Sequence, residues 1–316
     1  MGSYNDFRVV LGIIVDTNSD GVPDELSCNS ALGSPIEVQD ILPVVVDHTS
    51  VASFESIPEN YLQSAAALDM FFMDRSVGAN INDGLDCLSY PTDEDPDVPN
   101  HCIRAGSYDS SDLNWSHPGG YDNDNWDFQF WPDDQDCPDW SAKVNCFVNV
   151  IDPMIDQYDV VSYQLSYLSV DDGSSVADLP GGFFSDNSGT FDVYDLEAYE
   201  AQHPNQTFIY WTTSLARNIG TATSESFNAQ MRDYAIEHGK PLFDVADILS
   251  HDPDGNPCFD NRDGVTHPDD GVDRLAICQQ YTTEVDGGHL GSVSIGKIRV
   301  AKAFWVLMAR IAGWSG

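Results

Sequence analysis

Two short motifs in this chain carry the residue types of acyl-transfer chemistry. In Asp69-Met70-Phe71-Phe72-Met73-Asp74-Arg75-Ser76-Val77-Gly78-Ala79-Asn80-Ile81 an apolar run breaks at Ser76, and Ile81, Leu85 and Leu88 resume at helical spacing. A serine there stands at a strand-to-helix turn, where a helix N-terminus favours negative charge, and Gly78 lets a ligand approach the backbone closely. The same serine can equally serve as a helix N-cap. The second motif, Glu284-Val285-Asp286-Gly287-Gly288-His289-Leu290, places a histidine on a glycine-rich loop with a carboxylate three residues upstream. A serine hydroxyl needs a base, and such a loop can fold Asp286 under the imidazole of His289, fixing its tautomer and stabilising the imidazolium. Alone, an Asp-x-x-His also suits a surface or calcium loop.

Both motifs need a scaffold that brings positions 76 and 289 together. Apolar and β-branched runs at 8–15, 41–46, 70–73, 159–168, 207–212 and 241–245 read as strands, and 58–68, 224–238 and 292–312 read as helices. Strands alternating with helices predict an α/β fold, three layers deep, with a mainly parallel sheet covered on both faces. Ligands then gather at the carboxyl ends of the strands, where Ser76 falls. Residues 57–316 are expected to form one domain, with 1–56 as an N-terminal extension. Within it, 89–141 reads as an acidic insertion carrying Trp115, Tyr121, Trp126, Phe128, Phe130, Trp131 and Trp140. Those aromatics suit the mini-core of a long loop, or a lid or sugar-stacking platform.

Charge narrows the functions available. Thirteen Lys and Arg face 52 Asp and Glu, a formal net charge of -39. A surface of that sign repels phosphate backbones and excludes nucleic-acid binding. It also repels itself unless salt or bound cations screen it, which suits a saline setting or a secreted calcium-binding protein. No run reaches the ~18 apolar residues of a membrane span. Met1-Gly2-Ser3 reads as a cloning remnant, so a leader is expected to have been removed.

Asp16, Asn18, Asp20, Val22 and Asp24 flank Gly21 in a run with oxygen-bearing side chains at alternate positions. The run resembles the calcium loops of EF-hands and thrombospondin type 3 repeats, except that Ser27 stands where an EF-hand has its bidentate glutamate. Calcium is the expected cofactor, in a structural role. Residues 251–263 offer a second cation candidate of poorer spacing. The remaining histidines, including His48 and His251, share no metal spacing and are expected to cap, hydrogen-bond or face solvent. Seven cysteines stand at 28, 87, 102, 137, 146, 258 and 278 without zinc spacing. Three local pairs, 87–102, 137–146 and 258–278, are expected, leaving Cys28 over and implying an oxidising, extracellular or periplasmic compartment.

With Phe71–Ile81 near the start and Asp286-Gly287-Gly288-His289 before the last helix, the chain resembles the SGNH (GDSL-type) hydrolases, in a variant with Ser-Val-Gly at the nucleophile. The likeness spans roughly residues 57–312. It implies a flavodoxin-like α/β/α esterase with Ser76 as nucleophile, His289 as general base and Asp286 as orienting acid. It implies an oxyanion hole from the Ser76 and Gly78 amides, with Gln164 or Ser214 in place of the family's glycine and asparagine. Its substrate is then an acyl or acetyl ester, acetylated carbohydrate among the candidates. A calcium-stabilised carbohydrate-binding or surface protein on a degenerate hydrolase scaffold is the alternative. A metal-dependent phosphoesterase fits less well, because the acids do not cluster with histidines on core strands.

Overall fold

Every residue of the apolar run 70–74 is buried, and its side chains alternate between two cores. Met70 and Phe72 enter one, Phe71 and Met73 the other. A strand covered on both faces belongs inside a sheet with helices above and below. The computed structural model describes residues 14–15, 25–26, 43–74, 76–92, 94–99, 102, 115–117, 119–130, 136–262, 267–282, 284, 286–290 and 295–316.

The chain divides into two units, Met1–Ile41 and Leu42–Gly316. In the first, β1 (Ile14–Val15) and β2 (Glu25–Leu26) pair antiparallel, with Ile14 opposite Leu26 and Val15 opposite Glu25. The expected calcium positions Asp16, Asn18, Asp20, Val22 and Asp24 lie outside the described residues, as does Cys28.

The second unit runs β3 (Val45–Val46), α1 (Glu59–Ala66), β4 (Met70–Asp74), α2 (Ser76–Leu88), β5 (Trp126–Phe130), α3 (Trp140–Ile151), β6 (Val160–Tyr163), α4 (Val193–Glu200), β7 (Thr207–Trp211), α5 (Ala222–Glu237), β8 (Leu242–Phe243), α6 (Val245–Ser250) and α7 (Ile295–Ile311). The strands lie in the order β3-β8-β7-β6-β4-β5, and every neighbouring pair is parallel. Side chains of α1, α2, α6 and α7 fill the core on one face, and those of α3, α4 and α5 the core on the other. Period-two alternation holds along β7 as well: Ile209 and Trp211 join the first core, Phe208 and Tyr210 the second. The three-layer α/β architecture expected from the sequence is therefore present.

Strand order fixes where a site can lie. From β4 the chain goes outward to β5, then returns to β6 on the other side of β4 and continues away through β7 and β8. The crevice outside the carboxyl ends of β4 and β6 is the topological switch point, the usual place for a ligand in such sheets. Ser76 opens the helix after β4, and Gln164 directly follows β6.

Two boundaries differ from expectation. Val45–Val46 pairs with β8, so the main sheet begins within the supposed extension and the division between units falls at 41–42. Residues 126–130 form the edge strand beside β4, and Trp115, Tyr121 and Trp126 are buried in the main core. The aromatic stretch is thus partly a sheet element and partly core.

Three disulfides, Cys87–Cys102, Cys137–Cys146 and Cys258–Cys278, match the expected pairs and close loops of 15, 9 and 20 residues. Each constrains the unfolded chain by roughly 2–4 kcal/mol and points to an oxidising compartment. Among the described residues no helix is long and apolar enough to cross a membrane. Helices α2 and α7 approach closely at Gly84, where a Cβ would come within 2.4 Å of the Lys297 carbonyl oxygen. The buried Lys297 ammonium pairs with Asp83 across the same contact.

Candidate active site

The motif around Ser76 is built on Asp74. This buried carboxylate ends β4 and reaches forward, its Oδ2 accepting the Gly78 backbone N–H at 2.7 Å. It thereby caps the first turn of α2 and holds Ser76, which is exposed, at the helix N-terminus. Gly78 is required by closeness: a Cβ there would stand 2.9 Å from the Asp74 Cβ.

One turn on, Asn80 brings in the other half of the site. Its Oδ1 accepts the Leu290 backbone N–H at 2.7 Å, which fixes the His289–Leu290 peptide against the same helix that presents Ser76. Ser76 and Asn80 are four residues apart and share a helix face. No hydrogen bond joins Ser76 to His289 among the described residues. Such contacts often close only when substrate binds.

The loop bearing His289 is held at several points. The His289 Nδ1 lies 2.6 Å from Glu284 Oε1, and its backbone N–H donates to Glu284 Oε2 at 3.0 Å. The Thr282 hydroxyl donates to the His289 carbonyl, and the Glu284 N–H donates to that same hydroxyl at 3.1 Å. The Arg217 N–H donates to the Gly287 carbonyl at 3.0 Å, and its guanidinium to the Glu284 carbonyl at 2.9 Å. The Tyr167 ring meets the imidazole edge-on at a centroid distance of 5.9 Å. Burial pushes the Tyr167 phenol up; a hydrogen bond to Gly288 opposes this and the Glu284 charge adds to it, so the ring stays neutral.

Asp286 does not hold the place expected of it. Its side chain is 66 % exposed and lies 2.9 Å from the Nε2 of His267, while Glu284 occupies the Nδ1 side of His289. The two glycines explain the choice. A Cβ on Gly287 would fall 1.8 Å from Glu284 Oε2, and one on Gly288 would fall 2.4 Å from the Tyr167 ring. With neither side chain present, the loop folds tightly enough for the carboxylate five residues upstream to reach the imidazole.

The expected oxyanion donors also divide. The Gly78 amide is committed to Asp74, so it is not a free donor. Gln164 is buried, and its Nε2 donates to the Thr212 carbonyl at 3.3 Å, tying the end of β6 to that of β7. Ser214 is buried too, and its hydroxyl donates to the Gly288 carbonyl at 3.4 Å. Both side chains brace the site. The Ser76 and Val77 amides, at the start of α2, have no partner among the described residues.

Two cavities involve neighbouring segments, and Ser76, Glu284 and His289 line neither. One of about 220 Å³ opens beside Gly78 and Ala79 and is lined by Phe72, Phe128 and Phe130 together with Asp74, Asn82, Asp83 and Gln129. A larger one of about 440 Å³ lies along Leu168 and Ser169, directly after the tyrosine that touches His289. Its lining includes Lys143, Ser174, Ser175 and Thr190, and Lys143 donates to the Ser169 hydroxyl at 3.2 Å.

The second cation candidate is a self-closed turn over the part described. Asp252 Oδ1 accepts the backbone N–H groups of Asp254 and Asn256 at 2.9 and 2.8 Å. Sequence spacing missed a different cluster: His48, just after β3, and His251, just after α6, both lie against Asp247. Compared with protein-family models, curated proteins and solved structures, the chain matches none.

Proposed function

We propose that this protein is a serine esterase of the SGNH type, with Ser76 as nucleophile, His289 as general base and Glu284 as the carboxylate that orients it. The observation that carries this is the anchoring of the Glu284–His289 pair to α2 by Asn80, one turn after Ser76. Glu284 holds the Nδ1 proton and so leaves Nε2 to take the proton from Ser76. The alkoxide attacks the ester carbonyl, the Ser76 and Val77 amides face the developing oxyanion, and the positive end of α2 adds to them. The imidazolium returns its proton to the leaving alcohol, and water resolves the acyl-enzyme by the same path.

In this reading the cavity beside Gly78, part phenylalanine and part polar, is the candidate site for a short acyl group, and the hydroxyl-lined cavity along Ser169 a candidate site for a sugar. Calcium at residues 16–24 belongs to this proposal as a structural ion, supported by the sequence pattern alone. An active-site serine probe is the test: stoichiometric labelling at Ser76, with turnover of aryl acetates, is expected. Absence of both in folded protein favours the carbohydrate-binding alternative, for which the hydroxyl-lined cavity is the observation in hand.

A further inference from the structure

We propose that His48, Asp247 and His251 form a binding site for a divalent transition-metal ion, of which zinc is the first candidate. His48 lies just beyond β3, Asp247 in α6, and His251 immediately after that helix. One ligand atom from each residue lies within 4.8 Å of the others. The His48 Nδ1 contacts Asp247 Oδ2, and the His251 Nδ1 stands 3.3 Å from Asp247 Oδ1. The imidazoles stack at 3.9 Å, inclined by 11°.

Several features suit a metal better than a plain hydrogen-bonded pair. Ligands at ~2.0–2.2 Å around a tetrahedral ion stand about 3.3 Å apart. The His251–Asp247 separation has that value. For both in-plane Nδ1 lone pairs to meet one ion, the His48 contact has to lengthen and the stacked rings have to turn. The His251 Nδ1 also has to leave the Asp247 carbonyl, now 2.9 Å away. Asp247 Oδ2 also accepts the His48 backbone N–H at 2.9 Å, the outer-shell partner a ligating carboxylate usually has. The Tyr281 hydroxyl donates to the His251 carbonyl at 2.8 Å and fixes the second ligand's backbone. The three side chains keep 22, 19 and 14 % exposure, enough for water to enter and complete the coordination.

Donor type selects the ion. Two imidazoles and a carboxylate suit zinc, nickel or copper, whereas calcium and magnesium take oxygen donors. Each imidazole binds in its neutral form through Nδ1, with its proton on Nε2. The net charge of -39 favours any cation.

The test is calorimetric titration of the chelator-treated full chain with zinc chloride. One equivalent is expected to bind, and His48→Gln or His251→Gln should weaken it by more than the ~10–100-fold that loss of an outer-shell partner costs. Cys28→Ser and His289→Ala should leave it unchanged. Circular dichroism checks that each variant is folded. Anomalous diffraction at the zinc edge from crystals of the unaltered protein gives a reading independent of any variant, with a peak expected among the three side chains. Absence of zinc binding, binding indifferent to both histidine variants while they remain folded, or an anomalous peak elsewhere overturns the proposal.

Discussion

Two histidine–carboxylate clusters lie in this molecule, and they are built in opposite ways. At the switch point one carboxylate, Glu284, serves one imidazole from the same loop, and the loop is braced by Thr282, Arg217, Ser214 and Asn80. After the β3 and β8 strands, at the edge of the sheet, a single carboxylate, Asp247, takes two stacked imidazoles from distant parts of the chain. In the first, the carboxylate fixes one ring and leaves its second nitrogen for chemistry. In the second, both Nδ1 atoms lie against one carboxylate, each on its own oxygen, which suits ligation. A histidine beside an acid therefore takes its role from what else the acid holds.

The sharpest break between the clusters is at the nucleophile. Ser76→Ala is expected to lower kcat for an aryl ester by roughly 10⁴–10⁶-fold, and His289→Ala by nearly as much. Zinc affinity should not move in either. Retained turnover in Ser76→Ala, measured on chromatographically clean protein, sinks the esterase mechanism.

Next comes the choice between carboxylates. Glu284→Gln should cost about 10²–10⁴-fold in kcat, because the amide can present its N–H to Nδ1 and favour the wrong tautomer. Asp286→Asn should change turnover by less than about threefold, since an exposed contact with His267 contributes little. If Asp286→Asn proves the more damaging, the loop rearranges in catalysis and Asp286 takes the orienting role.

A smaller effect is expected at Asn80. Asn80→Ala leaves the Leu290 N–H without its acceptor, at a cost of about 1–3 kcal/mol. The loss should appear mainly in kcat, by about 10–100-fold, because the loop loses its register against α2 while the cavities stay intact. Comparing kcat with KM in stopped and steady-state assays separates this positioning role from a change in binding.

The smallest effect concerns a histidine of neither kind. His117 packs against Phe54 and Tyr121, and burial, aided by the Lys302 charge, lowers its pKa from 6.5 to about 4. Between those values the unfolded chain binds a proton that the folded chain refuses. Stability should fall as pH drops through that window and be fully kept above it. His117→Gln removes this contribution, so its Tm should decline less between pH 7 and 4.5, by about 2–4 °C for each kcal/mol involved. Parallel curves for the two proteins would show that His117 plays no part.

The sequence made the sheet legible wherever a strand is buried on both faces, as in Met70–Asp74 and Thr207–Trp211, because continuous apolar runs have few other uses. It hid β5, whose Trp126-Asp-Phe-Gln-Phe130 sits among acids at a sheet edge, and α4, whose Asp192–Asp195 capping box lies in a polar stretch. Ser76 and His289 stood out because their motifs are local. Which carboxylate reaches the imidazole did not, since it depends on the loop path that Gly287 and Gly288 allow. His48 and Asp247 are 199 positions apart, and no spacing rule links residues so distant.

The packing of α2 on α7 through Gly84, Asp83 and Lys297 has a consequence in time. A ribosome makes the chain from one end, so the segment bearing Ser76 is finished more than two hundred residues before the loop of His289. That loop leads directly into α7, whose side chains are buried along almost the whole helix and so can dock only late. On the proposed mechanism the nucleophile accordingly spends synthesis without its base, and turnover would begin only when the last helix docks.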